Sequence, residues 1–499
     1  MGNFFDKIRA IKDVLFGKKE VHEGNPSADL SLEATREESS LQPQERAAYY
    51  IQIGFDFGTS FSKCVYREVS KDKAWIFCSD NLESEYPFLI PSTIIYKDGV
   101  FRRHTNIETQ YPQNGLFHLK FAIGRIACRD IQAAVLERYK NAAASESVIE
   151  VGEFVELCAV FFLAASFATI AKDIKRRFSD FDQHPDDQLA VNMAIPVADA
   201  SQKSISSSYE KILKTAWAVF QHFEDKDSIP LEELKYLIRE SDLNNVQDEL
   251  CAVYPEVSAN VQAFIRSPAS SPDLRTIYFF SDTGAGTVDQ SVFTYNDKLN
   301  YFAAEVLPLG SGHIDLKACG NEITLERMEY WRKKKESGSN HITLINAKQS
   351  IEDLLKKESH GKTLMETKKR LPAGEGVNPI TTLQEHARLI FGGGGHSSVP
   401  YESGVVKAFN QFFNASAQPD ITSIQTPTDL EMNGHGESWM RRLFVAYGLS
   451  FPTVELAKNS YPNQNNLEAA RPPKHSGKAC TCRGSNPDCL QCYGRGWCD

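Results

Sequence analysis

The chain has 499 residues, 41% of them hydrophobic, with a net charge of −10 at pH 7 and a pI near 5.7. That length allows two or three compact units around a sizeable core, and the acidic balance argues against general nucleic-acid binding. Of 11 cysteines, six (Cys64, Cys78, Cys128, Cys158, Cys251 and Cys319) are scattered in apolar surroundings and five crowd the last 20 residues. This fits a reducing cytoplasm with one metal site rather than a disulfide framework.

Residues 3–17 put Phe4, Ile8, Ile11 and Leu15 on one helical face with Lys7, Arg9 and Lys12 nearby. Such a segment can pack on its own protein, dock on a partner or lie on a membrane surface. A myristoylation signal at Gly2 is ruled out by Asp6, which stands where that signal needs Ser or Thr. Residues 18–46, rich in charge, Ser and Pro, read as a disordered linker. GFDFGTSFSKCVY at 54–66 then reads as strand, Asp56, glycine turn and second strand, a β-hairpin. The most apolar stretch, 157–171, is too short to span a bilayer and reads as a buried helix. Residues 219–250 form an acidic, helical insertion, expected as a solvated excursion or a contact surface.

FFSDTGAGTVDQSVF at 279–293 repeats the hairpin pattern around Asp282. Gly58, Gly284 and Gly286 let each turn bend and the backbone approach a ligand closely. Peptide N–H groups, with the hydroxyls of Thr59, Ser60, Thr283 and Thr287, can donate to phosphate oxygens. Asp56 and Asp282 would repel bare phosphate, so they imply a divalent cation, magnesium with its water shell, lying between. Two such hairpins facing each other imply a nucleotide in a cleft. Twin Asp-Thr-Gly turns also build the dyad of aspartic proteases. Here Phe57 replaces the hydroxyl that this mechanism needs, and long helical stretches do not suit an all-β protease.

At the end of the chain, Cys480, Cys482, Cys489 and Cys492 supply two close thiolate pairs, suited to tetrahedral zinc in a closed, structural knuckle. Cys498 could replace one ligand, and a redox pair is the rival reading.

From about Ile51 to Leu456 these elements, taken with the segments between them, resemble the actin and heat-shock-70 (DnaK) ATPase superfamily. LIPSTIIYKDG at 89–99 is similar to the strand after the first phosphate loop of the chaperone branch. HLKFAIGR at 118–125 resembles its Lys-x-x-Ile-Gly-Arg segment, with Lys120 on the catalytic lysine. LAVNMAIPVADASQ at 189–202 resembles the strand and turn entering the next helix. YPEVSANVQAF at 254–264 resembles the first connecting helix, with Glu256 near metal and water. LGSGHIDL at 309–316 is similar to the segment after the second hairpin. FGGGGHSSVPY at 391–401 resembles the glycine turn under the nucleoside, with Gly392, Gly393 and Gly394 beneath it and His396 near the base. FVAYGLS at 444–450 resembles the second connecting helix.

The resemblance implies an α/β, two-lobed actin-like ATPase of duplicated ribonuclease-H-like sheets that binds ATP or ADP with Mg2+. Lobe I would span 49–272 and lobe II 273–458, the last helix crossing back to lobe I. An N-terminal appendage (1–48), a linker (459–478) and the zinc knuckle (479–499) complete the organisation. Asp282, Glu256, Lys120 and Thr287 are the expected catalytic set. Phe61, Lys63 and Asp289 join Asp56 and the turn residues around the nucleotide. No basic helix for the adenine pocket can be matched between Asp315 and Leu389, and no client-peptide clamp is expected. The Cys-x-x-Cys-x-Gly-x-Gly half of the tail resembles zinc repeats of J-domain co-chaperones. The expected output is a nucleotide-gated contact with a protein partner through the knuckle, the N-terminal helix or the 219–250 insertion. A non-hydrolysing scaffold, an actin-like filament and a small-molecule kinase are the rivals within the superfamily.

Overall fold

Seven residues, YIQIGFD, form β1 (Tyr50–Asp56), buried over all but its first residue, as a strand covered on both faces of a sheet must be. A computed structural model of the chain describes residues 46–79, 86–145, 149–196, 203–224, 226–241, 243, 246, 250–267, 276–295, 298–371, 387–397, 400–413, 419–434 and 439–460. The amphipathic segment 3–17 and the cysteine cluster lie outside the described residues.

Strand β1 runs antiparallel to β2 (Phe61–Glu68), and β2 to β3 (Lys73–Ile76), so the first expected hairpin is present. The short strands β4 (Ile90–Pro91), β5 (Ile94–Lys97), β6 (Val100–Arg103) and β7 (Gly115–Leu116) follow, then α1 (Leu119–Ala127), α2 (Glu137–Ala144) and α3 (Val151–Arg177). Strand β8 (Gln188–Ile195) lies parallel to β1. After α4 (Lys203–Val219), β9 (Ser228–Pro230) and α5 (Leu231–Glu240), β10 (Cys251–Pro255) lies parallel to β8 and leads directly into α6 (Glu256–Arg266).

The second half repeats this plan. Strands β11 (Ile277–Thr283), β12 (Val288–Tyr295) and β13 (Lys298–Leu307) are antiparallel neighbours. Helices α7 (Gly312–Cys319), α8 (Leu325–Glu336), α9 (Ile342–Glu358) and α10 (Met365–Arg370) lead to β14 (Ala387–Gly392), which is parallel to β11. After α11 (Pro400–Phe413), β15 (Asp420–Thr422) pairs parallel with β14. The chain then adds β16 (Leu430–Glu431) beside β3, passes through α12 (Met440–Leu449) and adds β17 (Lys458–Ser460) beside β13. The two main sheets run β10-β8-β1-β2-β3-β16 and β15-β14-β11-β12-β13-β17. Without their last strands, both follow the order fifth, fourth, first, second, third, with the same strand directions.

Helices α1, α3 and α4 cover the outer face of the first sheet, where Phe57 stacks on Phe162 with ring centroids 5.6 Å apart. The apolar stretch 157–171 belongs to α3. By length and composition this helix could cross a membrane, but 89% of its most apolar window is buried inside the protein. Helices α7, α9 and α11 cover the outer face of the second sheet. Between the sheets lie α6 and α12, whose Val257, Val261, Phe264 and Phe444 join Val65 and Ile76 of one sheet to Tyr278 and Phe280 of the other.

The 219–250 segment is not a solvated excursion. Its Phe220, Phe223, Ile229, Leu231 and Leu234 are buried, and β9 pairs with β6, because an amphipathic helix needs an apolar surface to cover its stripe.

Helices α6 and α12 cross at backbone contact. A Cβ at Gly448 would collide with the Ala259 carbonyl oxygen, and one at Gly54 with that of Ala446. Gly448→Ala is therefore expected to destabilise the protein by about 1–3 kcal/mol through overpacking. Chemical denaturation checks this, and an unchanged midpoint would contradict the close crossing.

Candidate active site

The repeated topology carries Asp56 to the last position of β1 and Asp282 to the next-to-last position of β11, its counterpart in the other half. Both hairpins open on one cleft of about 400 Å3. In the first turn, buried Phe57 anchors the chain in the core while the Gly58 N–H donates to the Asp56 carbonyl at 3.0 Å. The second turn closes by Gly284 N–H donating to the Thr287 carbonyl at 2.9 Å. It is backed by the 309–316 segment, whose Gly310, Ser311 and Gly312 N–H groups donate to the carbonyls of Gly286, Gly284 and Ala285.

Charged side chains meet across this floor. Lys63 Nζ lies 2.7 Å from Asp56 Oδ2, and Lys120 Nζ, from the first turn of α1, lies 3.0 Å from Glu256 Oε1. Asn260 Nδ2 donates to Asp282 Oδ2 at 2.6 Å, and Thr287 Oγ1 donates to Asp289 Oδ2 at 3.1 Å. Four carboxylates thus face two ammonium groups. Asp56 Oδ1 and Asp289 Oδ1 are buried without a hydrogen-bond partner among the described residues, an arrangement that is costly for carboxylates unless a cation or its water is supplied.

The ionisation states show the same imbalance. Burial, followed by the charge of Glu256, pushes Asp282 up to about 7, against the opposing pull of Asn260 and Lys63. Burial, then Glu256 and Asp282, raises Asp289 well above the carboxylate range. For Lys120, burial favours the neutral amine, but Glu256, Asp56 and Asp289 together outweigh it and hold the ammonium. Among the described residues no group of three His, Cys, Asp or Glu side chains could hold a metal directly. The carboxylates instead suit a divalent cation held through its own water.

Of the residues expected from the sequence, Asp56, Gly58, Thr59, Ser60, Phe61, Lys63, Lys120, Glu256, Asp282, Gly284, Thr287, Asp289, Gly393 and Gly394 line the cleft. Thr283, Gly286 and Gly392 do not. Thr283 is buried beside Gly395, Gly286 faces the Phe121 ring, and Gly392 ends β14 against Phe280. Gly393 has φ +82°, and a Cβ there would collide with Asp282 Oδ1, so only glycine fits. The side chain of His396 and the thiols of Cys480, Cys482, Cys489 and Cys492 lie outside the described residues.

Several lining residues had not been picked out of the sequence. Gln110 reaches the cleft beside Ser60, to which its amide donates. A basic wall, absent from the sequence match, comes from Arg332 and Lys335 of α8 and Lys348 of α9. The spacing of three between Arg332 and Lys335 places both on one helical side and was the available signal. Lys335 is pinned to Asp315 Oδ2 at 2.7 Å, and burial pushes Asp315 up to about 6 against that pull. An aspartic dyad is disfavoured because Asp56 and Asp282 each have a separate partner, Lys63 and Asn260.

A scan against models of known protein families matches none of them, and a search of curated proteins finds no match.

Because Asp282 titrates far above its unfolded range, the folded state holds its proton more tightly. Stability is therefore lost as pH rises from about 4 to about 7. Asp282→Asn should stabilise the ligand-free protein by on the order of 2 kcal/mol at pH 8, with the gain fading toward pH 4. Thermal melts across that range check the sign. A gain that grows on acidification would contradict it.

Proposed function

We propose that this chain is a Mg-ATP-binding and hydrolysing molecular switch of the heat-shock-70-like branch of the actin and heat-shock-70 superfamily, and that it controls a protein partner. The observation that carries this is the convergence of two equivalent hairpins on one cleft, each bringing an Asp from a central strand and a turn whose hydroxyl residues, Thr59 and Ser60 in one and Thr287 in the other, line that cleft. The repeated strand order supports two ribonuclease-H-like halves closing on one ligand. A cleft of about 400 Å3 lies within the range of nucleotide-sized sites.

Thr59, Ser60 and Thr287, with the turn N–H groups, donate to the phosphates. Lys120 stays charged and faces the site where negative charge grows during hydrolysis. Asp282 and Glu256 orient a water by accepting its hydrogen bonds, and Asp282, poised near neutrality, can take up its proton. Asp56 and Asp289 offer their unpartnered oxygens to water around a cation. Magnesium, when bound, neutralises phosphate charge and the carboxylate excess together. Gly393 and Gly394 admit the nucleoside close to the backbone, and the α8 and α9 cations line the same cleft. Loss of the terminal phosphate removes a charge that both halves grip, so the cleft can reopen and a partner can sense it.

Lys120→Ala should lower ATP turnover by about 100-fold or more while Mg-ATP binding persists. Single-turnover hydrolysis beside equilibrium binding checks this, and unchanged turnover would favour a scaffold without catalysis. For the cysteine cluster we propose a zinc knuckle. Metal analysis of the full chain should find about one zinc per molecule, lost on joint Cys489→Ser and Cys492→Ser substitution with nucleotide binding intact. A zinc-free wild-type chain would contradict it.

A further inference from the structure

Helix α6 begins with Glu256 and brings Asn260 to the same side one turn later. Glu256 meets Lys120 of the first half, whereas Asn260 meets Asp282 of the second. Asn260 is 1% exposed, and its helical neighbours Val257, Ala259, Val261, Ala263 and Phe264 are buried and apolar. A carboxamide in such surroundings is costly unless both its ends are hydrogen-bonded, and asparagine is also a poor helix former.

Only one end is bonded. Nδ2 donates to Asp282 Oδ2 at 2.6 Å, and Oδ1 has no partner among the described residues. Leucine has the same branched outline and a better helix propensity, although it is bulkier. The one bond that Asn260 makes goes to the carboxylate at the centre of the site, although Asn260 itself does not line the cleft.

We infer that Asn260 is a positioning residue for hydrolysis, fixing the Asp282 carboxylate by engaging Oδ2 so that Oδ1, beside Gly393 at the cleft wall, is the oxygen offered to the reacting water. The role rests on the hydrolytic function proposed for the cleft. A carboxylate otherwise free to rotate about its last bond would present either oxygen, and a charge-assisted hydrogen bond removes that freedom before substrate arrives. Glu256 and Asn260 on one rigid turn also set the spacing between the Lys120 pair and the Asp282 pair.

The test compares wild type with Asn260→Leu and, as a variant that cannot clash, Asn260→Ala. Melting of the nucleotide-free proteins, Mg-ATP affinity and steady-state hydrolysis are measured on the full chain. Positioning predicts that both variants bind Mg-ATP within about 3-fold and lose about 10-fold or more in kcat, by a similar factor in each whatever their melting temperatures. In an Asp282→Asn background, adding Asn260→Leu should lower kcat no further. Wild-type kcat in both Asn260 variants, or a kcat loss that tracks lost melting temperature and affinity, overturns the inference while leaving the ATPase intact. A wild-type chain that binds Mg-ATP without turning it over overturns the hydrolytic function itself, and the positioning role with it.

Discussion

An excess of carboxylate over ammonium on the floor between the two hairpins, beside the basic wall of the same cleft, is the constraint on which the rest of the structure turns. Asp56, Glu256, Asp282 and Asp289 share Lys63 and Lys120, and two of their carboxylate oxygens have no partner among the described residues. Repulsion at such short range in a poorly hydrated site lowers stability and raises proton affinity. Proteins retain arrangements of this kind where a ligand completes them. The fold around the cleft is the apparatus that holds these groups together in spite of their repulsion.

That apparatus is the pair of helices between the sheets. Helix α6 starts at the site with Glu256 and continues into the shared core. Helix α12, from near the end of the described chain, packs its Ala446 carbonyl on β1 at Gly54 and its Gly448 on α6 at Ala259. Arg67, fully buried on β2, ties this assembly together through Asp72 and Asp429 while lying 3.9 Å from the Phe451 ring centroid. Contacts this close leave little room for the halves to move without the helices sliding. This packing is the element on which the switch proposed above would have to act.

Much of this was legible in the residues. Alternating apolar strands that end in Asp and Gly gave both hairpins, the length of one apolar run gave the buried helix at 157–171, and the helices between the sheets were expected only through the resemblance. Lys120 and Glu256 were found through short motifs, and they meet in space. What was missed depends on tertiary placement. Nothing local marks Asn260 as facing Asp282, since its role exists only once α6 lies beside β11. Arg332 and Lys335 belong to no motif, yet α8 brings both to the cleft, held by partners far away in sequence or on the next turn. The 219–250 insertion looked acidic and exposed because its few apolar residues are spaced for one helical stripe rather than a core. Thr283, Gly286 and Gly392 belong to the turns but serve their packing, a distinction that composition cannot make.

Isothermal titration of ATP into the full chain at pH 8, with and without magnesium, tests the central claim most directly. Saturable binding that requires magnesium, and that weakens when Asp56 is replaced by Asn, is the predicted result. Equally weak heats in both titrations would show that the carboxylate-rich cleft is not a metal-nucleotide site.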